Sequence, residues 1–394
     1  MPPSAPLLTR RGLLRGATAA GLLGTVGALG GAFGGGSARP GPRPGPRPGS
    51  ATDTAWTLQP RPLPEGFVRG MNLAHLHHRG YGYGSDRALA QVRRLKGLGL
   101  TSIAVNPFAY TRSLTSPEIH WGGDASLTDD DLRRQVDQAH AEGLAVMMKP
   151  HLWSWKFLDG SGNGDITLDA AGWREWFARY TEFAVHYATL AAAAGCETLC
   201  VGLEYASATR ENPGAWAAVA RACRTVYGGP LTYAANWWQE YEQFQDWGAF
   251  DLIGIDAYFP LSGPDAPRRG GDGGDAADGG GDTSVAALVA AWQPHLDAIE
   301  RVCGGRPVIF PEAGYRAVVG ATDRPWEDRK GAVDPEIQAR AYEALLRACT
   351  ARPWFRGVYW WKWFTDLPGE GDPFVPAGQP AERVMAAWFG GSAG

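Results

Sequence analysis

Two short apolar runs in this 394-residue chain each end on a glutamate: Leu199-Cys200-Val201-Gly202-Leu203-Glu204 and Pro307-Val308-Ile309-Phe310-Pro311-Glu312. An ionised carboxylate closing a buried strand is costly without a partner. Each Glu therefore needs a structural counter-charge or a chemical task. A salt bridge to Arg or Lys would account for either one alone. Two such groups brought to ~5–5.5 Å of each other suit a double displacement at a glycosidic carbon, one as acid and base, the other as nucleophile.

The elements that must position them recur along the chain. Apolar, β-branched runs at 67–73, 101–107, 144–150, 198–204, 230–236, 251–257, 307–312 and 356–363 read as strands. Amphipathic stretches near 85–98, 128–142, 171–194, 213–226, 284–302 and 334–350 read as helices, with a weaker one at 238–247 and a terminal one at 380–389. Alternation of this kind implies a parallel sheet with helical crossovers. Eight units over residues 65–394 imply an α/β chain with a single (β/α)8 TIM barrel. A doubly wound sheet is the competing arrangement, but no strand is followed by Gly-x-Gly-x-x-Gly. Gly80-Tyr81-Gly82-Tyr83-Gly84 has the wrong spacing for that motif and reads as a flexible loop. In the barrel, Glu204 and Glu312 close the fourth and seventh strands, whose tips face each other across the mouth.

Catalytic groups of such barrels come from the carboxyl ends of the strands. Those ends carry Asn72 and His75, Asn106, His151, Asn236 with Trp237, Asp256 with Tyr258, and Trp360, Trp361 and Trp363. The chain holds 17 Trp, 13 Tyr and 14 Phe, and many Trp follow strand ends (153, 155, 237, 238, 360, 361, 363). Indole rings fit the flat C–H faces of sugars, while Asn, His and acids satisfy the hydroxyls. Asn72, His75, Asn106, His151, Asn236, Trp237, Tyr258 and Trp361 are thus the candidate substrate contacts, with His75 and His151 donating to substrate or to a catalytic Glu. Trp173, Trp176, Phe177, Tyr180, Phe183 and Tyr187 instead recur at helical spacing, as the core face of one helix would. His75-Leu76-His77 raises the alternative of a barrel metal hydrolase. That chemistry needs further His and Asp ligands from later strands, and none of the eight His ends the fifth or sixth strand. No metal or organic cofactor is implied.

The whole chain has 37 Lys+Arg against 41 Asp+Glu. Residues 1–50 hold six Arg and no acid, so the remainder carries 31 bases against 41 acids, a charge of −10. So acidic a body is a poor nucleic-acid binder, and it has no run of ~18 apolar residues to insert in a membrane. Thr9-Arg10-Arg11-Gly12-Leu13-Leu14-Arg15 is a twin-arginine pattern followed by a mildly apolar Gly/Ala run. It reads as an export signal over 1–38, engaging the twin-arginine translocation machinery and making the protein secreted or extracytoplasmic. A short membrane anchor or a chance Arg pair is the alternative. Residues 39–64 form a Pro/Gly/Arg-rich linker and lead-in. Residues 261–283 are Gly/Asp-rich and read as a disordered insertion in preference to a calcium loop. The five Cys match no zinc spacing; Cys303 and Cys349 are the best candidates for a bridge, with buried free thiols the alternative. A monomer is expected.

Five segments carry a resemblance: Arg69-Gly70-Met71-Asn72, Lys149-Pro150-His151, Val201-Gly202-Leu203-Glu204, Asp251 to Tyr258, and Pro311-Glu312-Ala313-Gly314-Tyr315. On these the chain, over about residues 65–390, resembles the clan A glycoside hydrolases, and within them the β-mannanase family 113. The resemblance implies that Glu204 is the acid/base and Glu312 the nucleophile of a retaining enzyme acting on β-1,4-mannan or a related polysaccharide or oligosaccharide. It further implies that Tyr258 holds the nucleophile, that Asn106, His151 and Asn236 bind the sugar, and that a Trp of the last strand floors it. In many clan members an Asn precedes the acid/base and binds the sugar 2-hydroxyl; here that position is Leu203, which leaves a non-catalytic carbohydrate-binding protein on the same barrel, or a clan A β-glycosidase of glucan or another glycan, as the alternatives.

Overall fold

The computed structural model describes residues 56–124, 126–154, 156–157, 161–263, 281–328, 331–367 and 371–393. The export signal, most of the linker, Trp155 and most of the Gly/Asp-rich insertion lie outside these residues.

Eight parallel strands close into a barrel: β1 (Val68–Ala74), β2 (Ser102–Val105), β4 (Ala145–Met148), β6 (Thr198–Leu203), β7 (Leu231–Asn236), β8 (Ile253–Asp256), β9 (Val308–Ala313) and β10 (Phe355–Phe364). The expected TIM barrel is present, and β1 closes it by pairing with both β2 and β10. Strands β2, β8 and β9 are buried throughout and the others over most of their length, because helices cover the outer face and side chains fill the centre. Polar caps start the helices where the strand-to-helix loops end. Ser85 caps α1 (Asp86–Gly97), Asp169 caps α3 (Ala170–Ala194) and Ser284 caps α7 (Val285–Cys303). Thr128 and Asp131 form a reciprocal capping box at α2 (Asp129–Ala141). The helix expected at 213–226 is α5 (Ala215–Arg224), and a short helix that was not expected, α4 (Ala206–Glu211), precedes it. The weak 238–247 helix is one turn, α6 (Glu240–Gln243), continued as a 3-10 turn at Gln245–Ala249. Helices α8 (Pro335–Cys349) and α9 (Pro380–Phe389) complete the outer ring.

A small second sheet was not expected. β3 (Phe108–Tyr110) and β5 (His151–Trp153) pair in parallel above the barrel, Phe108 opposite His151. Pro107 and Pro150 are the cause. Proline has no N–H to give the ladder, so β2 and β4 break there, and the two continuations pair with each other instead. The break places His151 at the barrel mouth.

The aromatic face of α3 packs as expected: Trp173, Trp176, Tyr180, Phe183 and Tyr187 are buried. Trp176 stacks on Tyr180 and meets Tyr205 and Trp216 edge-on, while the Tyr180 hydroxyl donates to the Val201 carbonyl at 2.9 Å. This face therefore supports the strand that ends at Glu204. All five cysteines are buried free thiols, so the Cys303–Cys349 bridge is not formed. Burial raises the Cys200 thiol to about 12, which makes it inert as a nucleophile. The Gly80–Gly84 segment is also anchored: the Tyr83 hydroxyl donates to the Leu73 carbonyl and accepts the Asn106 N–H at 2.8 Å.

The rings of Tyr233 and Trp216 close on β6 where Gly202 lacks a side chain. A Cβ there would lie 2.6 Å from the Tyr233 ring and 2.9 Å from Trp216. Gly202→Ala is expected to destabilise the fold by roughly 1–3 kcal/mol through overpacking, read as a lowered midpoint in thermal denaturation.

Candidate active site

Glu312 projects from β9 into the barrel mouth, 6% exposed. Lys149, fully buried at the end of β4, donates to Glu312 Oε1. The Tyr258 hydroxyl donates to Oε2 at 2.8 Å, matching its expected place beside this carboxylate. Lys149 Nζ also donates to Asn72 Oδ1 at 3.2 Å, and Asn72 Nδ2 donates to the Pro311 carbonyl at 2.9 Å. The Asn106 amide donates to Asn72 Oδ1 at 3.3 Å and to His151 Nε2 at 3.0 Å. His151 Nε2 accepts that bond, so its proton resides on Nδ1, which has no hydrogen-bond partner among the described residues. Burial, then the Lys149 charge, hold the His151 pKa well below its ordinary value. The ring is a neutral donor, stacked on Trp361 at 6.1 Å and 9°.

Two expected substrate contacts sit elsewhere. Asn72 is wholly buried, and both atoms of its amide are taken by the protein; it locates Lys149 instead of a sugar. His75 does not reach either Glu. Its Nδ1 accepts the Tyr83 N–H at 3.0 Å and its Nε2 meets Ser126 Oγ at 3.2 Å. With His77 and Asp124 it forms a group of metal-ligand type. The Tyr83 N–H can only donate, so a neutral His75 carries its proton on Nε2, and burial, chiefly, lowers its pKa to about 3. That tautomer has no lone pair on the nitrogen facing Ser126. His77 Nδ1 meanwhile bonds Asp124 Oδ2 at 2.6 Å. The group fits a hydrogen-bonded loop anchor and not a cation site.

Glu204 follows β6 in the left-handed region, φ +55°. For a non-glycine residue this conformation costs of order 1–3 kcal/mol and persists only where the surroundings fix it. Here the Glu204 N–H donates to the Ala234 carbonyl at 2.8 Å, and the Tyr205 N–H donates to the Tyr233 hydroxyl at 2.9 Å. Asn236 Nδ2 donates to Glu204 Oε1 at 3.0 Å, so this expected contact touches the carboxylate directly. Burial, then the charges of Asp256, Glu312 and Glu240, push the Glu204 pKa well above the usual carboxylate range, against an opposing pull from Lys149.

Glu240 was not legible as a site residue. Buried at the start of α6, it accepts from Tyr233 OH at 2.6 Å, Thr209 Oγ1 at 2.8 Å and the Asn236 N–H at 2.8 Å. It thereby holds the asparagine that holds Glu204. Burial raises its pKa to about 7 despite these donors. A Glu four residues after the strand-ending Asn236, in Asn-Trp-Trp-Gln-Glu, was the available signal.

The two glutamates line one cleft together with His151, Tyr258, Trp326 and Trp361. Lys362 and Asp372, paired at 2.8 Å, also line it. Trp237 stacks on Trp326 at 4.8 Å and 25°. Of the three Trp in β10, only Trp361 reaches the cleft. Trp360 is buried against Tyr342 at 3.8 Å, and the buried Trp363 donates to Gln91.

A (β/α)8 barrel with a buried carboxylate pair and aromatic walls at its strand tips has the architecture of a glycoside hydrolase. The family model for Glycoside Hydrolase Family 113 matches residues 71–373, most of the chain, and the protein belongs to that family. It is similar to the GH113 β-mannanase of Alicyclobacillus acidocaldarius in complex with ManMIm: 29% identity, 82% of this chain and 97% of that one, TM-score 0.70. A complex of a GH113 β-1,4-mannanase is similar at 25% identity, 83% and 99% coverage and TM-score 0.69. The β-glucuronidase of Bifidobacterium dentium, at 14% identity, 82% and 46% coverage and TM-score 0.52, shares the fold alone. No curated protein matches the chain.

Two substitutions probe the site. Lys149→Met strands the Glu312 carboxylate in a buried setting and should cost ~3–5 kcal/mol of stability, measured by chemical denaturation. Glu240→Gln removes a negative charge that raises the Glu204 pKa, so any activity that needs Glu204 protonated should lose its alkaline limb at lower pH. A pH profile of kcat/KM checks the direction.

Proposed function

We propose that the protein is an exported retaining β-mannanase using Glu204 and Glu312. The observation that carries this reading is the unequal surroundings of the two carboxylates in one cleft. Glu312 receives an ammonium and a phenol, a set of donors suited to an anion. Glu204 faces three acids, and burial favours its neutral form. The mannan substrate is supported by the two similar structures of the same family, both of them β-mannanases. Export is supported by the Arg10-Arg11 pattern, and no helix among the described residues is long and apolar enough to cross a membrane.

The reaction follows from these states. Glu312 attacks the anomeric carbon from one face while Glu204 protonates the leaving oxygen. A covalent glycosyl ester on Glu312 forms as the glycosidic bond breaks. Glu204, now ionised, takes a proton from water, which attacks the same carbon and releases a product of retained configuration. Asn236 keeps Glu204 aimed through both steps. His151 Nδ1–H is available to a sugar hydroxyl, and Trp361 offers a face to the ring.

Hydrolysis of mannan, glucan and xylan oligosaccharides by the purified full chain tests the assignment. Mannan should be cleaved and the others spared. Glu312→Ala should abolish turnover while retaining sugar binding, and Glu204→Ala should lower kcat by about 10²–10⁴-fold. Wild-type turnover in Glu312→Ala would refute the nucleophile.

A further inference from the structure

The cleft wall that Glu204 shares contains a polar residue with one amide atom unused. Asn163 opens a 3-10 turn (Asn163–Asp165) between β5 and α3 and lines the cleft with Leu203 and Glu204. It is 4% exposed. Its Nδ2 donates to the Leu203 carbonyl at 3.2 Å. That bond also assigns the amide: the atom facing a carbonyl must be the NH2 group, so Oδ1 is the atom on the other side. Oδ1 has no hydrogen-bond partner among the described residues. An Asn retained only for its turn would use this oxygen to cap the backbone. Here Asp165 takes that role, accepting the Gly162 N–H at 2.9 Å.

The turn is fixed against the strand that carries Glu204. A Cβ built on Gly164 would lie 3.4 Å from the Glu204 carbonyl oxygen. Ser207, in α4, donates to the Ile166 carbonyl just past the turn. The neighbouring cleft position, Leu203, has an apolar side chain and offers no hydrogen bond. A buried acceptor thus stands in the cleft wall that Glu204 shares, where an unmet acceptor costs its desolvation until a donor arrives.

We propose that Asn163 is a specificity-determining residue whose Oδ1 accepts a hydrogen bond from one hydroxyl of the bound sugar chain. The inference rests on the cleft being the glycan site proposed above. It makes Asn163 a supplier of polar recognition on the Glu204 side, where Leu203 supplies none. Sites built around a substrate hydroxyl discriminate strongly against analogues that lack it.

The test is a substitution crossed with deoxygenated substrates. Full-length wild type, Asn163→Ala and Glu312→Ala are assayed on aryl β-mannotriosides, the parent and a set each lacking one hydroxyl. Asn163→Ala should lower kcat/KM on the parent about 10–100-fold. On one deoxy substrate the wild type should already be slowed and the variant should equal it. A loss of the same size on every substrate, or no loss on the parent, would overturn the inference: the first shows a merely structural role, the second no role. If Asn163→Ala does not fold, Asn163→Leu, nearer in volume, replaces it in the same panel. No wild-type hydrolysis of the parent, or hydrolysis surviving in Glu312→Ala, would instead overturn the reading of the cleft and this inference with it.

Discussion

Lys149 lies wholly inside the barrel mouth, its ammonium on Glu312 and 3.2 Å from Asn72. A buried ammonium is tolerated only with a carboxylate and further acceptors around it. The arrangement of the site follows from that demand. Asn72 supplies the second acceptor, and carbonyls of β9 and β10 hold Asn72 in place. Asn106 bonds Asn72 and His151 together, which fixes the tautomer of the histidine. One cation, placed on one side of the cleft, makes the two glutamates chemically unequal.

On the other side the device is opposite. Glu204 has an amide for a partner and acids for neighbours, and Asp256, itself pushed up chiefly by burial and then by Glu312, adds to the crowding. The left-handed backbone at Glu204 is held by hydrogen bonds from β7 and by Tyr233, whose hydroxyl also binds Glu240. The aromatic packing of α3 and α5 against Tyr205 and Tyr233 makes this corner stiff. In the proposed mechanism the same stiffness keeps the proton donor aimed while its charge changes twice.

Much of the barrel was legible because its signals are local. Apolar runs bounded by caps place all eight strands within a few residues, and helical spacing separates the buried aromatics of α3 from those at strand ends. The two glutamates stood out by contrast with the apolar strands that carry them. What the sequence hid depends on tertiary convergence. Lys149 lay in a visible motif, yet nothing in the chain says that it reaches Glu312, 163 residues away. Glu240 and Asn163 look like ordinary turn residues until the fold brings them to Thr209 and Leu203. Asn72 and His75 erred the other way: polar residues at a strand end, but with every polar atom drawn into the protein. Trp360 and Trp363 were grouped with Trp361, although a strand can turn only some of its side chains to one face.

The claim on which the rest depends is that Glu312 forms a bond to sugar. Proton NMR of the first product released from mannan oligosaccharides reads this from the anomeric signal before mutarotation. The β-anomer appearing first is the expected result, since two displacements restore the configuration. The α-anomer appearing first would mean direct attack by water and would contradict a nucleophilic Glu312.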